Sequence, residues 1–327
     1  MRFGPVPLSA ARGAILAHSE DLGGRRLRKG RWLSDADIAA LAAAGREAVV
    51  VARLDDGDLH EDMAADRLAA ALCGDGIAPQ GPAATGRVNL RATGRGVLLA
   101  DAARVGALNR IDPMLTLATL PPFRRLVAGD MVATVKVISY GVAEAAVARA
   151  EAAGRSALRL ARPVIETATL IETRVGAAAP PDKGRRAMRA RLDALGLALS
   201  PRVVVAHEAG EIARAIAAAP GQLVLILTAS ATSDIRDTAP EGLCRAGGTV
   251  THFGMPVDPG NLLFLGALDD RPVIGLPGCA RSPAMNGADW VLDRVACGLS
   301  VGPDEIAEMG LGGLLKESPD RGRPRAG

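Results

Sequence analysis

Between residues 167 and 297, short aliphatic segments alternate with longer amphipathic segments. The clearest short segment is 223–228, because an unbroken apolar strand is expected where both faces of a sheet are covered. The other predicted strands are 167–172, 202–206, 249–253, 262–265 and 273–276. The predicted helices are 183–195, 208–219, 238–246 and 283–297. Such alternation predicts an α/β domain with a three-layer, mainly parallel sheet.

The composition excludes some classes of protein. The 327 residues are enough for two or three domains. Aromatic residues make up only 2% of the chain, so Ala, Leu and Val must fill the core. The net charge of +3 and the scarcity of rings that could stack on bases argue against a nucleic-acid partner. The one basic cluster, at residues 25–31, is therefore interpreted as a solvated basic turn.

The cysteines and the apolar runs indicate the compartment. Cys73, Cys244, Cys279 and Cys297 form no C-x-x-C pair, and no His lies at metal-ligand spacing beside them. Reduced thiols are therefore expected. The apolar runs, such as 223–227, are far shorter than the roughly 20 residues of a membrane helix. No N-terminal segment resembles a signal peptide. The sequence predicts a cytoplasmic protein without membrane contact.

Changes in composition and in hydrophobic pattern along the chain predict five regions. An N-terminal region, 1–76, mixes helices with a short strand, and a small β-rich module, 77–142, is punctuated by Gly and Pro. An Ala- and Glu-rich helical linker, 143–165, leads to the α/β domain at 166–300. The C-terminal extension, 301–327, ends in an Arg-, Pro- and Gly-rich tail that is expected to be flexible from Lys316 onward.

Ligands of open α/β sheets bind beyond the carboxyl ends of the strands, and one polar loop follows the strand at 223–228. Its small hydroxyl residues suit a phosphate at a helix N-terminus, and they are Thr228, Ser230, Thr232 and Ser233. Arg236 adds a fork of donors. Asp234 and Asp237 fit an anion site only if a cation is also held there. The alternative is a plain N-cap for the next helix, made by Asp237 or Thr238.

Further loops lie at the ends of other predicted strands. After strand 273–276, the candidate ligand-binding residues are Pro277, Gly278, Cys279, Arg281 and Ser282, with Gly278 allowing close approach to the backbone. Cys279 is otherwise an ordinary small core residue. The loop 254–261 is explained equally well as a structural turn. His207 follows strand 202–206, and Asp182 precedes the first helix, so both can reach the same edge.

These loops resemble the molybdopterin-binding domain shared by the MoeA and MogA families of molybdenum-cofactor biosynthesis. Residues 273–282, V-I-G-L-P-G-C-A-R-S, are similar to the family's strand and L-P-G-N-P-x-S loop, and 254–261 to its Pro-Gly segment. Residues 228–237 stand where the family has G-G-x-S-x-G-x-x-D, and 182–184 resemble its D-x-x-G or D-x-N element. The N-terminal segments 14–18, 27–30 and 37–41 are similar to the opening of MoeA-type proteins, so the chain resembles a divergent MoeA-like protein.

The chain departs from the family pattern where ligand and metal chemistry is concentrated. Ala229, Ser230, Ala231 and Ser233 replace the loop glycines, and Cys279 stands for the Asn of L-P-G-N-P. The family's T-G-D-E-L loop is absent, and residues 172–175 occupy its place. The fold therefore transfers more safely than the activity.

The resemblance implies two main hypotheses. In the first, the protein is an enzyme that binds molybdopterin or its adenylate and inserts molybdate into the adenylate. Asp234 and Asp237 would then be catalytic and hold Mg²⁺, while Arg236 and Arg281 pair with phosphates. In the second, it is a non-catalytic molybdopterin carrier or a partner of a molybdenum-cofactor nucleotidyltransferase, which the lost glycines favour. An anion-sensing regulator would need a DNA-reading segment, for which the sequence offers no candidate. A homo-oligomer stays open.

Overall fold

The computed structural model describes residues 1–317, and the chain divides into two compact units. Unit 1 comprises residues 1–94 and 98–160, and unit 2 comprises residues 95–97 and the chain from Ala161 onward. Within residues 1–317, no helix is both long enough and apolar enough to cross a membrane.

Unit 1 consists of short strands and four helices, with two separate hydrophobic cores. In chain order, its elements are β1 (Arg2–Pro7), β2 (Ile15–Leu16), β3 (Glu20–Asp21), β4 (Arg26–Leu27), α1 (Asp35–Ala43), β5 (Ala48–Arg53), β6 (Asp58–His60), α2 (Glu61–Leu72), β7 (Ile77–Pro79), β8 (Arg87–Ala92), β9 (Gly96–Ala100), α3 (Ala102–Asn109), β10 (Leu115–Thr119), β11 (Arg125–Leu126), β12 (Met131–Val137), β13 (Gly141–Ala143), α4 (Glu144–Gly154) and β14 (Leu158–Ala161). Residues 143–165, expected to be a helical linker, thus contain α4 followed by a strand.

The two cores of unit 1 are built around different sheets. The first core lies at the three-stranded sheet β1-β5-β2 and includes Leu16, Leu41 and Val51. The second lies between the four-stranded sheet β10-β12-β8-β7 and helices α2 and α4, and includes Leu68 and Val147. Alternate residues of β12 are buried, as the β-branched pattern of this segment predicts.

Unit 2 alternates strands and helices. Its elements are β15 (Thr167–Arg174), α5 (Lys183–Leu195), β16 (Ala198–Leu199), β17 (Val203–Ala206), α6 (Ala209–Ala218), β18 (Leu223–Leu227), α7 (Thr238–Arg245), β19 (Thr249–Phe253), β20 (Phe264–Leu268), β21 (Arg271–Leu276), α8 (Gly287–Ala296) and α9 (Pro303–Glu308). The predicted bounds of α5 and β19 are confirmed, and most others agree within two residues. Helix α8 begins later than predicted because Asn286 and Asp289 form a capping box.

The strands of unit 2 form one seven-stranded sheet in the order β16-β15-β18-β21-β20-β19, and β17 also pairs with β15. The pairs of β15 with β16, β17 and β18, and the pair β18–β21, are parallel. Strand β20 is antiparallel to both β21 and β19. The sheet is therefore mixed, with β20 alone running opposite to the other six strands. Only Asp269 and Asp270 separate β20 from β21, and so short a connection permits only an antiparallel hairpin.

Both faces of β18 are covered. Leu223, Leu225 and Leu227 join a cluster that includes residues of α5 and α8. Val224 and Ile226 join a second cluster, with residues of α6 and α7. The unbroken apolar run is therefore explained by burial on both sides, as the sequence predicts.

The C-terminal extension begins with α9, and residues 315–317 form a short 3₁₀ turn. Lys316 Nζ lies 2.7 Å from Asp258 Oδ2. Beyond Glu317, the tail that was expected to be flexible lies outside the described residues.

The basic cluster at residues 25–31 is solvated, as predicted, and it also contacts a buried acid. Arg31 Nε lies 2.9 Å from Asp37 Oδ2, and Arg25 Nη2 lies 3.8 Å from Oδ1 of the same carboxylate. The hydroxyl of Ser34 also donates to Asp37, at 2.7 Å. Burial alone would raise the pKa of Asp37, but the hydrogen bonds from Arg31 and Ser34 outweigh it and lower that pKa to about 2.

Replacing Asp37 by Asn should lower the free energy of unfolding near neutral pH by on the order of 2 kcal/mol. Because the folded-state pKa lies below the unfolded one, this contribution is complete above about pH 5 and is lost as the pH falls towards 2. Urea unfolding across this range should show the wild type converging on the variant at low pH. Asp35→Asn, an exposed change in the same helical turn, is the control and should cost under about 1 kcal/mol. Equal losses for the two variants would contradict the assignment.

Candidate functional site

The parallel strands of unit 2 end at one edge of the sheet. Strands β17, β15, β18 and β21 are neighbours in that order and run in the same direction. The register pairs Glu172 with Leu227, and Leu227 with Leu276. The loops that follow β17, β18 and β21 therefore begin side by side, and we call this region the polar edge. It is the position at which open α/β sheets bind ligands.

Thr173, at the end of β15, ties three strand ends together. Its fully buried hydroxyl oxygen accepts a hydrogen bond from the Ala229 backbone N–H, at 2.7 Å. The same oxygen lies 3.0 Å from His207 Nδ1. The backbone N–H of His207 also donates to Arg174 O, at 2.9 Å. His207 and the start of the 228–237 loop are thus fixed relative to β15.

The first half of the 228–237 loop is held by threonine hydroxyls. Thr228 Oγ1 donates to Ser230 O, at 2.5 Å, and lies 3.5 Å from Thr232 Oγ1. Thr228 and Thr232 are buried, whereas Ala229 and Ser230 are exposed. The threonines therefore shape the turn, and the exposed residues are the ones that a ligand could touch.

The carboxylates of the same loop are engaged locally. Asp237 caps α7, with Oδ1 accepting from the Thr238 N–H at 2.7 Å and Oδ2 accepting from the Ser233 N–H at 3.0 Å. Both oxygens of the exposed Asp234 pair with the guanidinium of Arg236, at 2.9 and 3.2 Å. Within residues 1–317, no three His, Cys, Asp or Glu side chains lie close enough to share a metal ion. The donor set at Asp234 and Asp237 does not fit Mg²⁺. Asp237 instead caps the following helix, which was the alternative interpretation of this loop.

Arg281 joins the loop after β21 to the loop after β18. Its guanidinium donates to the backbone oxygen of Thr228. Its side chain also passes close to Gly184, where an added Cβ would lie 3.3 Å from Arg281 Cγ. Burial lowers the pKa of Arg281, and the nearby Glu172 carboxylate opposes that shift. The two loops therefore open onto the same side of the sheet.

Two further arginines lie beside this edge. Arg202 forms a bidentate pair with the buried Glu172, with distances of 2.8 and 3.0 Å. Arg185, on the first turn of α5, is 7% exposed and donates from Nη2 to Ser200 O at 2.6 Å. Its Nη1 has no hydrogen-bond partner among residues 1–317, and burial lowers its pKa. Three guanidinium groups thus surround one buried carboxylate, and the balance of charge favours an anion.

The remaining predicted ligand-binding residues have mixed surroundings. Pro277, Gly278, Cys279 and Ser282 lie within or beside a 3₁₀ turn directly after β21, and Cys279 is half-buried. The backbone oxygen of Ser282 accepts from the buried Arg191, at 2.8 Å, which fixes the end of this turn. Asp182 precedes α5 but makes no side-chain capping bond, and its carboxylate lies 4.0 Å from Arg202 Nη1.

The loop 254–261 serves the C-terminal extension. The Asp258 N–H donates to Gly313 O, and the Leu315 N–H donates to Asp258 O, both at 2.8 Å. Met255 and Val257 are buried in the core of unit 2. These contacts support the interpretation of this loop as a structural turn.

Sequence reasoning missed Thr173, Arg185 and Arg202. Thr173 was missed because β15 was predicted to end at Glu172, whereas it runs to Arg174. Extending that strand would have placed Thr173 at the edge by the same rule that selected His207. Arg202 was predicted to be the first residue of a strand, and no local pattern indicates its pairing with Glu172, thirty residues away.

One family model, described as a domain of unknown function (DUF8806), matches residues 5–53. No curated protein matches the chain. Among solved structures, a molybdopterin biosynthesis MoeA protein from Pyrococcus horikosii is 13% identical over 85% of this chain and 70% of its own, with a TM-score of 0.28.

A second solved structure is a molybdenum cofactor biosynthesis protein from Pyrococcus furiosus. It is 13% identical over 86% of this chain and 59% of its own, with a TM-score of 0.23. One neighbour is thus described as a molybdopterin biosynthesis protein and the other as a molybdenum cofactor biosynthesis protein. At such low TM-scores, neither likeness supports an argument about the chemistry of this chain.

Replacing Thr173 by Val should release the start of the 228–237 loop, because the variant keeps the shape of the side chain but removes the acceptor for Ala229. The expected loss of stability is roughly 1–2 kcal/mol. Hydrogen exchange of the Ala229 amide should accelerate, while the amides of β18 stay protected. Thr173→Ser keeps the hydroxyl and is the matched control. An unchanged exchange rate in Thr173→Val would show that the hydroxyl does not hold the loop.

Proposed function

We propose that the polar edge of unit 2 binds the phosphate group of molybdopterin, and that the protein acts in molybdenum-cofactor biosynthesis. The observation that carries the proposal is the grouping of Arg281, Arg202 and Arg185 around the Glu172 carboxylate near the end of β15, where Arg281 also contacts the turn that follows β18. A phosphate there would meet guanidinium donors, the exposed backbone of Ala229 and Ser230, and the turn at Gly278. The likeness of residues 273–282 to the MoeA and MogA loop suggests that the phosphate belongs to a pterin.

Between the two roles that the sequence leaves open, we propose the non-catalytic one, a molybdopterin carrier that serves a nucleotidyltransferase. Insertion of molybdate into the adenylated pterin was assigned to Asp234 and Asp237 with Mg²⁺. Those carboxylates are occupied by Arg236 and by the N–H groups of Ser233 and Thr238. A cation there would have to displace an ion pair and a helix cap. Arg281 contacts a backbone oxygen, and Arg185 Nη1 has no hydrogen-bond partner among residues 1–317, so neither has to leave a carboxylate to attract an anion.

Anaerobic calorimetry with molybdopterin tests the binding. The wild type should bind, and Arg281→Gln should weaken binding by about tenfold or more, because a charge-assisted contact at a half-buried site is lost. Arg281→Lys keeps the charge without the fork and should lie between the two. Arg245→Gln, which removes an exposed arginine from the last turn of α7, is the control and should bind like the wild type. Equal affinities for the wild type and Arg281→Gln would refute the proposed site.

The role is tested separately with adenylated molybdopterin, molybdate and Mg²⁺. A carrier should bind the adenylate and release no AMP. Release of AMP that Asp237→Asn abolishes would instead show the molybdate-inserting enzyme. Since Asp237→Asn also alters the cap of α7, its thermal unfolding should be compared with that of the wild type in the same buffer.

A further inference from the structure

Unit 1 contains a surface cavity that is separate from the polar edge. Its volume is about 490 Å³, within the range of small-molecule sites. The walls come from the end of β9, the first turn of α3, a turn before β11 and the start of β14. The lining residues used below are Asp101, Arg104, Phe123, Ser156 and Arg159.

The charges on the cavity wall do not balance. The Asp101 carboxylate caps α3 by accepting from the Arg104 N–H at 3.0 Å, and it lies 3.2 Å from Arg104 Nε. Arg104 also donates to the backbone oxygen of Arg155, which holds the segment before β14. The side chain of Arg159 has neither an ion pair nor a hydrogen bond with the described residues. One guanidinium is thus neutralised within the wall, and the other is available to an anion.

The backbone of the wall is strained at two places. Phe123 has a φ of 61° and Ser156 has a φ of 51°, a region that non-glycine residues seldom adopt. They are two of the four such residues between Met1 and Glu317. Hydrogen bonds hold both in place, from the Phe123 N–H to Leu98 O at 2.7 Å and from the Ser156 N–H to Ala71 O at 2.8 Å. Strain of this kind collects at ligand sites, where a side chain must be presented at a fixed position.

We propose that this cavity binds a small organic anion that carries one phosphate or carboxylate group on an aromatic body. Arg159 pairs with the anionic group, and the exposed hydroxyl of Ser156 donates to it. The half-exposed ring of Phe123 packs against the aromatic body. Phe123 is one of only four phenylalanines in the chain. The core is filled by Ala, Leu and Val, whereas Phe123 is exposed in a strained turn.

Calorimetric titration with phenyl phosphate and with benzoate tests the proposal, in the full chain carrying Arg281→Gln so that the polar edge contributes less. At least one of the two should bind with a Kd of about 1 mM or tighter, and inorganic phosphate should bind about tenfold more weakly. Arg159→Gln should weaken binding by about tenfold. Arg149→Gln, an exposed arginine on α4 outside the cavity, is the control and should change nothing.

Ser156→Gly separates a binding role from a structural one. Glycine adopts a positive φ without strain, so the variant should have a higher melting temperature than the parent. It also removes the hydroxyl and should therefore bind the aromatic anion more weakly. A higher melting temperature with unchanged affinity, or no effect of Arg159→Gln, would overturn the proposed site, as would an absence of binding by both aromatic anions. None of these results depends on molybdopterin binding to unit 2.

Discussion

The double-sided burial of β18 is the constraint on which the architecture of unit 2 depends. Every residue from Leu223 to Leu227 is buried, so its backbone N–H and C=O groups can be satisfied only by neighbouring strands. Strands β15 and β21 supply that pairing, both parallel to β18. Parallel pairing in turn brings the strand ends together, and the polar edge is a consequence of how the sheet satisfies its most apolar strand.

What the edge can bind depends on which polar groups are already used within the loops. Asp237 caps α7 and Asp234 forms an ion pair with Arg236, so neither carboxylate contributes much free negative charge. The hydroxyl groups of Thr173 and Thr228 form hydrogen bonds that fix the turns. The arginines are held differently, since Arg281 contacts a backbone oxygen rather than a carboxylate. The acids are neutralised and Arg281 is not, which is why we propose an anion rather than a cation as the ligand of the edge.

The structure could be predicted from the sequence where local patterns determine it. The bounds of α5 and β19 and the two-sided burial of β18 are examples. It was insufficient for the direction of β20, because the tight Asp269–Asp270 hairpin carries none of the usual Gly or Asn signals. It was also insufficient for side-chain partners. The spacing of Asp234 and Asp237 suits a metal pair and a cap equally well, and only folding shows that Ser233, Thr238 and Arg236 occupy them. The rule that ligands bind beyond the carboxyl ends of parallel strands predicted that these loops lie together. The positions of the Arg185 and Arg202 side chains depend instead on tertiary contacts.

The cavity of unit 1 and the polar edge of unit 2 are built on a common physical device, although their folds differ. In each, the backbone is fixed by hydrogen bonds to a neighbouring element, and a guanidinium lies beside it without a carboxylate of its own. Fixing the backbone first lowers the entropy that a ligand must offset on binding. Holding the site ready for a ligand has a cost in folding free energy. In unit 1 that cost is the strain at Phe123 and Ser156, and in unit 2 it is the incomplete hydrogen bonding of the buried Arg185. The anion recognition that we propose for each site would account for both the strain in unit 1 and the incomplete hydrogen bonding in unit 2.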